Sequence, residues 1–284
     1  FWGETDGDPP QKIFGPVQRT PVLGRNTLTL PVNAPEIAKY PVIHWYFIAL
    51  KSGGAQESMG TTDSPVYVTL DTPRFPQLKP RVDVVDYATR HTKGEKAELP
   101  ILKALTEGIY EKSRFVYDLK DTRSHHTFET HFGQEFKVSD FIDFPGNEEI
   151  DSEGNCQDFS NLFQVCGAAL GVEGVAYRKI TGNPGIKRRG FHIFPVLPVG
   201  QFNWWLPLDE QGEPDTLSFH QTGWYFGNND VLVGNFYDPT YRMNEQAPAL
   251  PIHFDEGLYK RLFFDGSWGD LYIPQLPDRP IKVQ

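Results

Sequence analysis

The residues best suited to chemistry lie in the stretch Gly154-Asn155-Cys156-Gln157-Asp158-Phe159-Ser160-Asn161-Leu162-Phe163. The apolar spacing predicts a helix from about Asn155 to Leu170, with Phe159, Leu162, Phe163, Cys166 and Leu170 on one stripe and Gly171 as a stop. Cys156 then sits in the first turn. Unpaired backbone N–H groups and the helix dipole favour a thiolate there, and the same N–H groups can hold an oxyanion, so the position suits a cysteine nucleophile. Asp151, Glu153 and Asp158 oppose a thiolate, so activation requires a nearby imidazolium. Cys166, in mid-stripe, reads as core.

Further motifs add to this. Gly154-Asn155-Cys156-Gln157-Asp158-Phe159, the amphipathic helix, Leu170-Gly171-Val172 leading into Val175-Ala176-Tyr177-Arg178, and a later Tyr237-Asp238-Pro239-Thr240 resemble the transglutaminase-like superfamily of papain-like cysteine enzymes. The resemblance covers about residues 83 to 275 and is sharp around Cys156 and Asp238. It implies a Cys-His-Asp triad with Cys156 as nucleophile and Asp238 orienting the base. For the base there are two candidates. Turn residues Gly227-Asn228-Asn229-Asp230 would fold a hairpin about residue 229 and set His220 beside Asp238 across antiparallel strands. His192 stands at a distance from Cys156 like that in compact members of the family; the same hairpin arithmetic pairs it with Asp209, which opens an ordinary surface turn, Asp209-Glu210-Gln211-Gly212. His220 with Asp238 is preferred, and His192, with Asp209 or Asp238, is the runner-up. Members of the family commonly add a second oxyanion donor, a Trp or Gln upstream of the cysteine, to the cysteine's own N–H. No Trp lies between Trp45 and Trp204, which leaves Gln134 as the candidate.

These residues need a scaffold. Residues 1 to about 80 read as strands between turns: Pro41–Leu50 is mostly apolar, Lys51-Ser52-Gly53-Gly54 is a turn, and Pro65–Leu70 alternates with a strand period. Pro73, Pro76 and Pro80 suit a stiff crossover. From Pro100, Leu102, Leu105 and Ile109 form the apolar face of a helix to about Lys112. After the cysteine helix come strand-like runs at Val175–Thr181, Gly190–Pro198, Phe202–Leu208, Thr216–Phe226 and Leu232–Asp238, separated by turns such as Asn183-Pro184-Gly185. A helix followed by an antiparallel meander is an α+β reading.

Composition narrows the function. The chain has 284 residues, with 27 basic against 37 acidic and a net charge of −10, which lacks the basic excess of a nucleic-acid or anionic-membrane binder. No apolar run approaches the roughly 18 to 20 residues of a membrane span. The two cysteines, both on one helix, make no disulfide framework. A start at Phe1 rather than Met suits removal of a leader or trimming, and leans the localisation towards secreted or periplasmic without deciding it.

Other constellations are weaker. His125-His126 with His131 match no familiar ligand spacing and read as a solvated loop; a metal-dependent hydrolase built on them is a rival that a chelator would silence. Lys187-Arg188-Arg189 reads as a solvated basic loop, and Gly182-Asn183-Pro184-Gly185 lacks the context and Lys of a phosphate loop. Trp204-Trp205 and Trp224-Tyr225-Phe226 read as core packing that could also line an apolar substrate groove. The expectation is a β-sandwich-like domain over residues 1–82 and a transglutaminase-like α+β catalytic domain over residues 83–284. The expected function is acyl transfer on peptide or carboxamide bonds of a protein or peptide substrate, hydrolysis preferred over transamidation, with no cofactor or metal, no nucleic acid and no membrane insertion. A non-catalytic adhesion or scaffolding protein with the same fold is the alternative.

Overall fold

The computed structural model describes residues 2–5, 10–15, 36–51, 54–74, 81–112, 114–119, 124–130, 133–142, 152–182, 190–228, 234–243, 253–266, 271–272 and 281–283. The expected turn at Asn183–Gly185, the run Lys187–Arg189, His131, Asp151 and the turn residues Asn229 and Asp230 fall outside these. No helix among the described residues is long and apolar enough to cross a membrane.

The chain begins with β1 (Trp2–Glu4), β2 (Lys12–Phe14), β3 (Ala38–Leu50) and β4 (Gln56–Val68), which form one antiparallel sheet in the order β2-β1-β3-β4. Register slips between Tyr40 and Ile43, around Pro41, which has no N–H for the ladder. β4 starts well before the expected Pro65, because the polar, mostly exposed stretch from Gln56 pairs as an edge strand on β3 without needing an apolar face. Its core is small: Ile13, Phe14 and Ile43, with Tyr40, Trp45 and Val66 beside them.

Two helices follow, α1 (Val82–Thr92), which the sequence reading did not anticipate, and α2 (Glu98–Glu107), which continues as a π-helical turn to Lys112. Leu102, Leu105 and Ile109 are all buried, as their spacing predicts. Next come β5 (Phe115–Tyr117), β6 (Thr127–Thr130), β7 (Gly133–Phe136), α3 (Val138–Ile142), β8 (Ser152–Gly154) and α4 (Cys156–Ala169). After α4 lie β9 (Val175–Gly182), β10 (Val196–Pro198), β11 (Phe219–Tyr225), β12 (Asn235–Tyr237), β13 (Tyr241–Met243), β14 (His253–Asp255), α5 (Glu256–Phe263), β15 (Leu271–Tyr272) and β16 (Ile281–Val283). The principal sheet is antiparallel, in the order β14-β12-β11-β9-β15, and the architecture is mixed α+β with several smaller sheets. The strands expected at Gly190–Pro198 and Phe202–Leu208 reduce to β10 and isolated bridges, where Pro195, Pro198 and Pro207 cannot donate to a ladder.

Helix α4 packs across β11 and β9 and is enclosed on every side. Only Gln164 and Ala168 escape burial, so the single apolar stripe of the sequence reading is too narrow. The polar residues this encloses are partnered: Asn161 donates to Thr127 Oγ1 (3.0 Å) and accepts from Gln221 Nε2 (3.0 Å). Close approach to the sheet needs Gly223, where a Cβ would lie 2.5 Å from the Phe163 ring. The helix ends at Gly171, whose φ of 84° is a left-handed stop. Its last carbonyls accept from the segment after the N-terminal sheet, Leu70 N–H to Leu170 O (3.0 Å) and Arg74 N–H to Ala168 O (2.8 Å). The N-terminal sheet also meets α1, through Lys39 paired with Asp86 and Tyr67 Oη donating to Asp86 (3.2 Å).

Candidate active site

Asn155 sets the start of α4. Its side-chain oxygen accepts from the N–H of Gln157 (2.8 Å) and of Asp158 (3.3 Å), and Asp158 accepts in return from the N–H of Asn155 (3.2 Å), a reciprocal capping box. Asp158 also accepts from Ser124 Oγ (2.5 Å) and from the backbone N–H of His125 (3.2 Å) and His126 (3.3 Å). The sequence reading counts this carboxylate against a thiolate; in the structure its oxygens are committed to ordering the helix start and the chain at 124–126. The Cys156 thiol, 3% exposed, stands at the first helical position.

Strand β5 pairs in parallel with β8 and puts Tyr117 opposite Gly154. Asp118 N–H donates to Gly154 O (3.0 Å) and Tyr117 N–H to Val199 O (2.9 Å), which fixes the strand between the helix start and the 199–201 loop. The Tyr117 hydroxyl accepts from the Cys156 backbone N–H and is hydrogen-bonded to Tyr241. Its ring lies 5.2 Å from that of Tyr241 and 6.2 Å from that of Trp205. Trp205 is thus at the edge of this cluster.

His220 comes from β11, which pairs with β9 along its whole length, and Asp238 from the turn between β12 and β13. His220 Nε2 and Asp238 Oδ2 are 3.0 Å apart, and both residues are buried. The β11–β12 register aligns Gly223 with Tyr237, two residues off the hairpin inferred from residue 229, so the pair is diagonal rather than directly opposite. The period of two keeps both side chains on one face despite that offset. Asp238 Oδ1 accepts from the N–H of Thr240 (2.8 Å) and Tyr241 (3.0 Å), and Oδ2 also accepts from Tyr259 Oη (2.7 Å). The imidazole packs against the rings of both Tyr241 (4.9 Å) and Phe263 (4.8 Å), which lie 6.0 Å from each other.

Electrostatics follow from these contacts. Burial alone would drive His220 towards neutrality, but the charge and hydrogen bond of Asp238, and then Cys156, outweigh it and push its pKa up to about 9. Burial would likewise raise Asp238; the charge and hydrogen bond of His220, with Tyr259 and the Thr240 N–H, hold it below the usual carboxylate range. Nδ1 of His220 is buried without a hydrogen-bond partner, and Cys156 is the group besides Asp238 that acts on the ring. The carboxylate thus fixes one ring nitrogen and leaves the other unpaired on a ring that Cys156 influences.

Of the residues singled out by sequence, the structure gathers Cys156, His220 and Asp238. The runner-up pair does not assemble. His192 lies between two isolated bridges with its carbonyl accepting from Asp265 N–H (3.2 Å), while Asp209 is exposed and caps its own turn through the N–H of Gln211 (2.9 Å) and Glu213 (2.9 Å). Gln134 lies on β7, paired with Glu129 and Ile281, in a different sheet from β5 and β8, and its side chain is outside the described residues. His125 pairs with Asp118 (2.9 Å) and His126 with Ser152 Oγ (3.1 Å). Among the described residues no three His, Cys, Asp or Glu side chains gather as metal ligands. Sequence reasoning missed Tyr117, Tyr241 and Tyr259. Only Tyr241 carries a local signal, since Asp238-Pro239-Thr240 is an Asx-turn sequence that folds the next residue onto the carboxylate. Compared with models of known protein families, with curated proteins and with solved structures, the chain matches none.

Proposed function

We propose that this protein is a cysteine-dependent acyl-transfer enzyme, papain-like in its catalytic part, acting on peptide or carboxamide bonds of a protein or peptide substrate. The N-terminal sheet is read with it as a sandwich-like accessory domain. With its proton already passed to His220 Nδ1, as the raised pKa of the ring favours, Cys156 Sγ attacks the carbonyl carbon; His220 gives that proton to the leaving amine as the tetrahedral adduct collapses to a thioester. Asp238 holds Nε2 and stabilises the imidazolium, and the Cys156 N–H faces the developing oxyanion. Water resolving the thioester makes the reaction hydrolysis, the preferred reading because it needs no site for a second substrate; an amine resolving it makes transamidation. The observation that carries the proposal is the enclosed His220, bonded to Asp238 on one nitrogen and electrostatically joined to Cys156.

One observation favours the non-catalytic scaffold: Cys156 is only 3% exposed. Against it, a histidine, a phenol and a helix N-terminus stand beside Cys156 within the apolar core it belongs to. Iodoacetamide at mild pH separates the readings. The enzyme labels Cys156 far faster than Cys166, and His220→Ala slows that labelling; slow, equal labelling of both thiols sinks the enzyme reading.

A further inference from the structure

Acyl transfer through a tetrahedral adduct places a full negative charge on the former carbonyl oxygen, and one backbone N–H is a thin support for it. The residue nominated from sequence, Gln134, stands in another sheet. A different group already occupies the place where that oxygen would sit: the Tyr117 hydroxyl accepts the Cys156 N–H, the bond an oxyanion would accept. Tyr117 is held there by the pairing of β5 on β8 opposite Gly154, by its N–H on Val199 O (2.9 Å) and by Gln201 Nε2 on its carbonyl (3.0 Å). Its ring is 5% exposed and packed against Tyr241.

We propose that Tyr117 supplies the second oxyanion donor of this site, its hydroxyl giving up the Cys156 N–H to the incoming carbonyl oxygen and turning its own O–H onto that oxygen. The inference rests on the acyl-transfer reading above. A hydroxyl both donates and accepts, so once the ring has drawn back to admit the carbonyl oxygen at the Cys156 N–H, the same O–H can turn onto that oxygen. Burial, followed by the charge of Cys156, raises the Tyr117 phenol well above its ordinary range, and burial does the same for Tyr241 beside it, so the O–H is retained for donation. Tyr241, bonded to Tyr117 rather than to the reacting atoms, is a positioning residue.

Two reagents that differ in needing an oxyanion test this on the intact chain. With p-nitrophenyl acetate, Cys156 sulfur adds to the acetyl carbon, the carbonyl electron pair moves onto oxygen, and collapse breaks the ester C–O bond, releasing p-nitrophenolate and leaving S-acetyl-Cys156. With iodoacetamide, an S–C bond forms as the C–I bond breaks, and iodide leaves without any oxyanion. Tyr117→Phe is expected to slow acetylation about 10²-fold or more while alkylation stays within about threefold of wild type. Acetylation that is unchanged or faster, or both rates falling together, would overturn the assignment. If Tyr117→Phe does not fold, Tyr241→Phe serves instead, with a smaller loss of about three- to tenfold in acetylation alone; equal rates with both reagents there overturn it too. A wild-type Cys156 that reacts selectively with neither reagent removes the acyl-transfer reading itself, which distinguishes that failure from this one.

Discussion

Helix α4 carries two thiols ten residues apart, and both are buried: Cys156 is 3% exposed and Cys166 is 0%. Exposure therefore does not separate them. Cys166 sits where the helix ladder uses every backbone group, among Phe159, Leu162, Phe163 and Leu170 in one core, and burial pushes its thiol far above the ordinary range. Cys156 sits where the ladder has not begun. Its N–H is left to meet Tyr117, and a histidine bonded to a carboxylate shares its enclosure. What differs is which polar groups are buried with the sulfur, so the same helix holds an inert thiol and a candidate nucleophile nearly three turns apart.

The comparison breaks hardest at the carboxylate. Asp238→Asn keeps an oxygen for the N–H of Thr240 and Tyr241, but puts an amide NH2 where Oδ2 meets Tyr259 and His220, removes the charge that stabilises the imidazolium and reverses which tautomer Nε2 prefers. Acetylation of Cys156 is expected to fall about 10³- to 10⁴-fold in this variant, measured as the burst of p-nitrophenolate. Cys166 should label no differently. A loss below tenfold would mean that Asp238 is a structural turn residue.

The pH dependence of stability is a second lever. His220 has a folded pKa of about 9 against an ordinary 6.5, so its contribution is complete below 6.5 and is lost as pH rises towards 9. Asp238 is lowered from an ordinary 3.8, so its contribution is present above that value and is lost as pH falls through the folded one. The melting temperature is expected to be highest between about pH 4 and 6.5 and to decline towards 9, the alkaline loss amounting to a few kcal/mol at most. His220→Gln should flatten that decline. A wild-type melting temperature that holds steady from pH 6.5 to 9 would contradict the charge pairing.

How much of this is readable beforehand depends on the range of the signal. Helix α4 is legible end to end, because Asn155, Asp158 and Gly171 act within a turn of where they stand. His220 and Asp238 are legible as a pair because 18 residues with a turn in the middle leave few ways to fold, although the two-residue slip in register is not. Tyr117 is invisible in sequence. It belongs to a three-residue strand with no period to read, and only its parallel pairing with β8, across more than thirty residues, brings it to Cys156. Helix α1 was hidden for the opposite reason: it follows a proline-rich stretch whose turn signals overshadow the spacing of Val84, Val85 and Ala88. The part of β4 before Pro65 lacks an apolar face and is defined by its partner alone.

The smallest effects come from the two ends of the comparison. Asn155→Ala removes the acceptor for the N–H of Gln157 and Asp158 and is expected to cost about 1 to 2 kcal/mol in urea unfolding. Because the cap also fixes the first helical position, Cys156 alkylation should slow by a small factor at the same time. Cys166→Ala leaves a void beside the α4 core and should cost about 1 kcal/mol. There the two measurements part: stability falls while the alkylation rate of Cys156 stays that of the wild type, since Cys166 is not among the groups that act on His220, Asp238 or Tyr117. Were Cys156 to slow in step with the lost stability in Cys166→Ala as well, its reactivity would be following the rigidity of the whole helix rather than the groups gathered at its first turn.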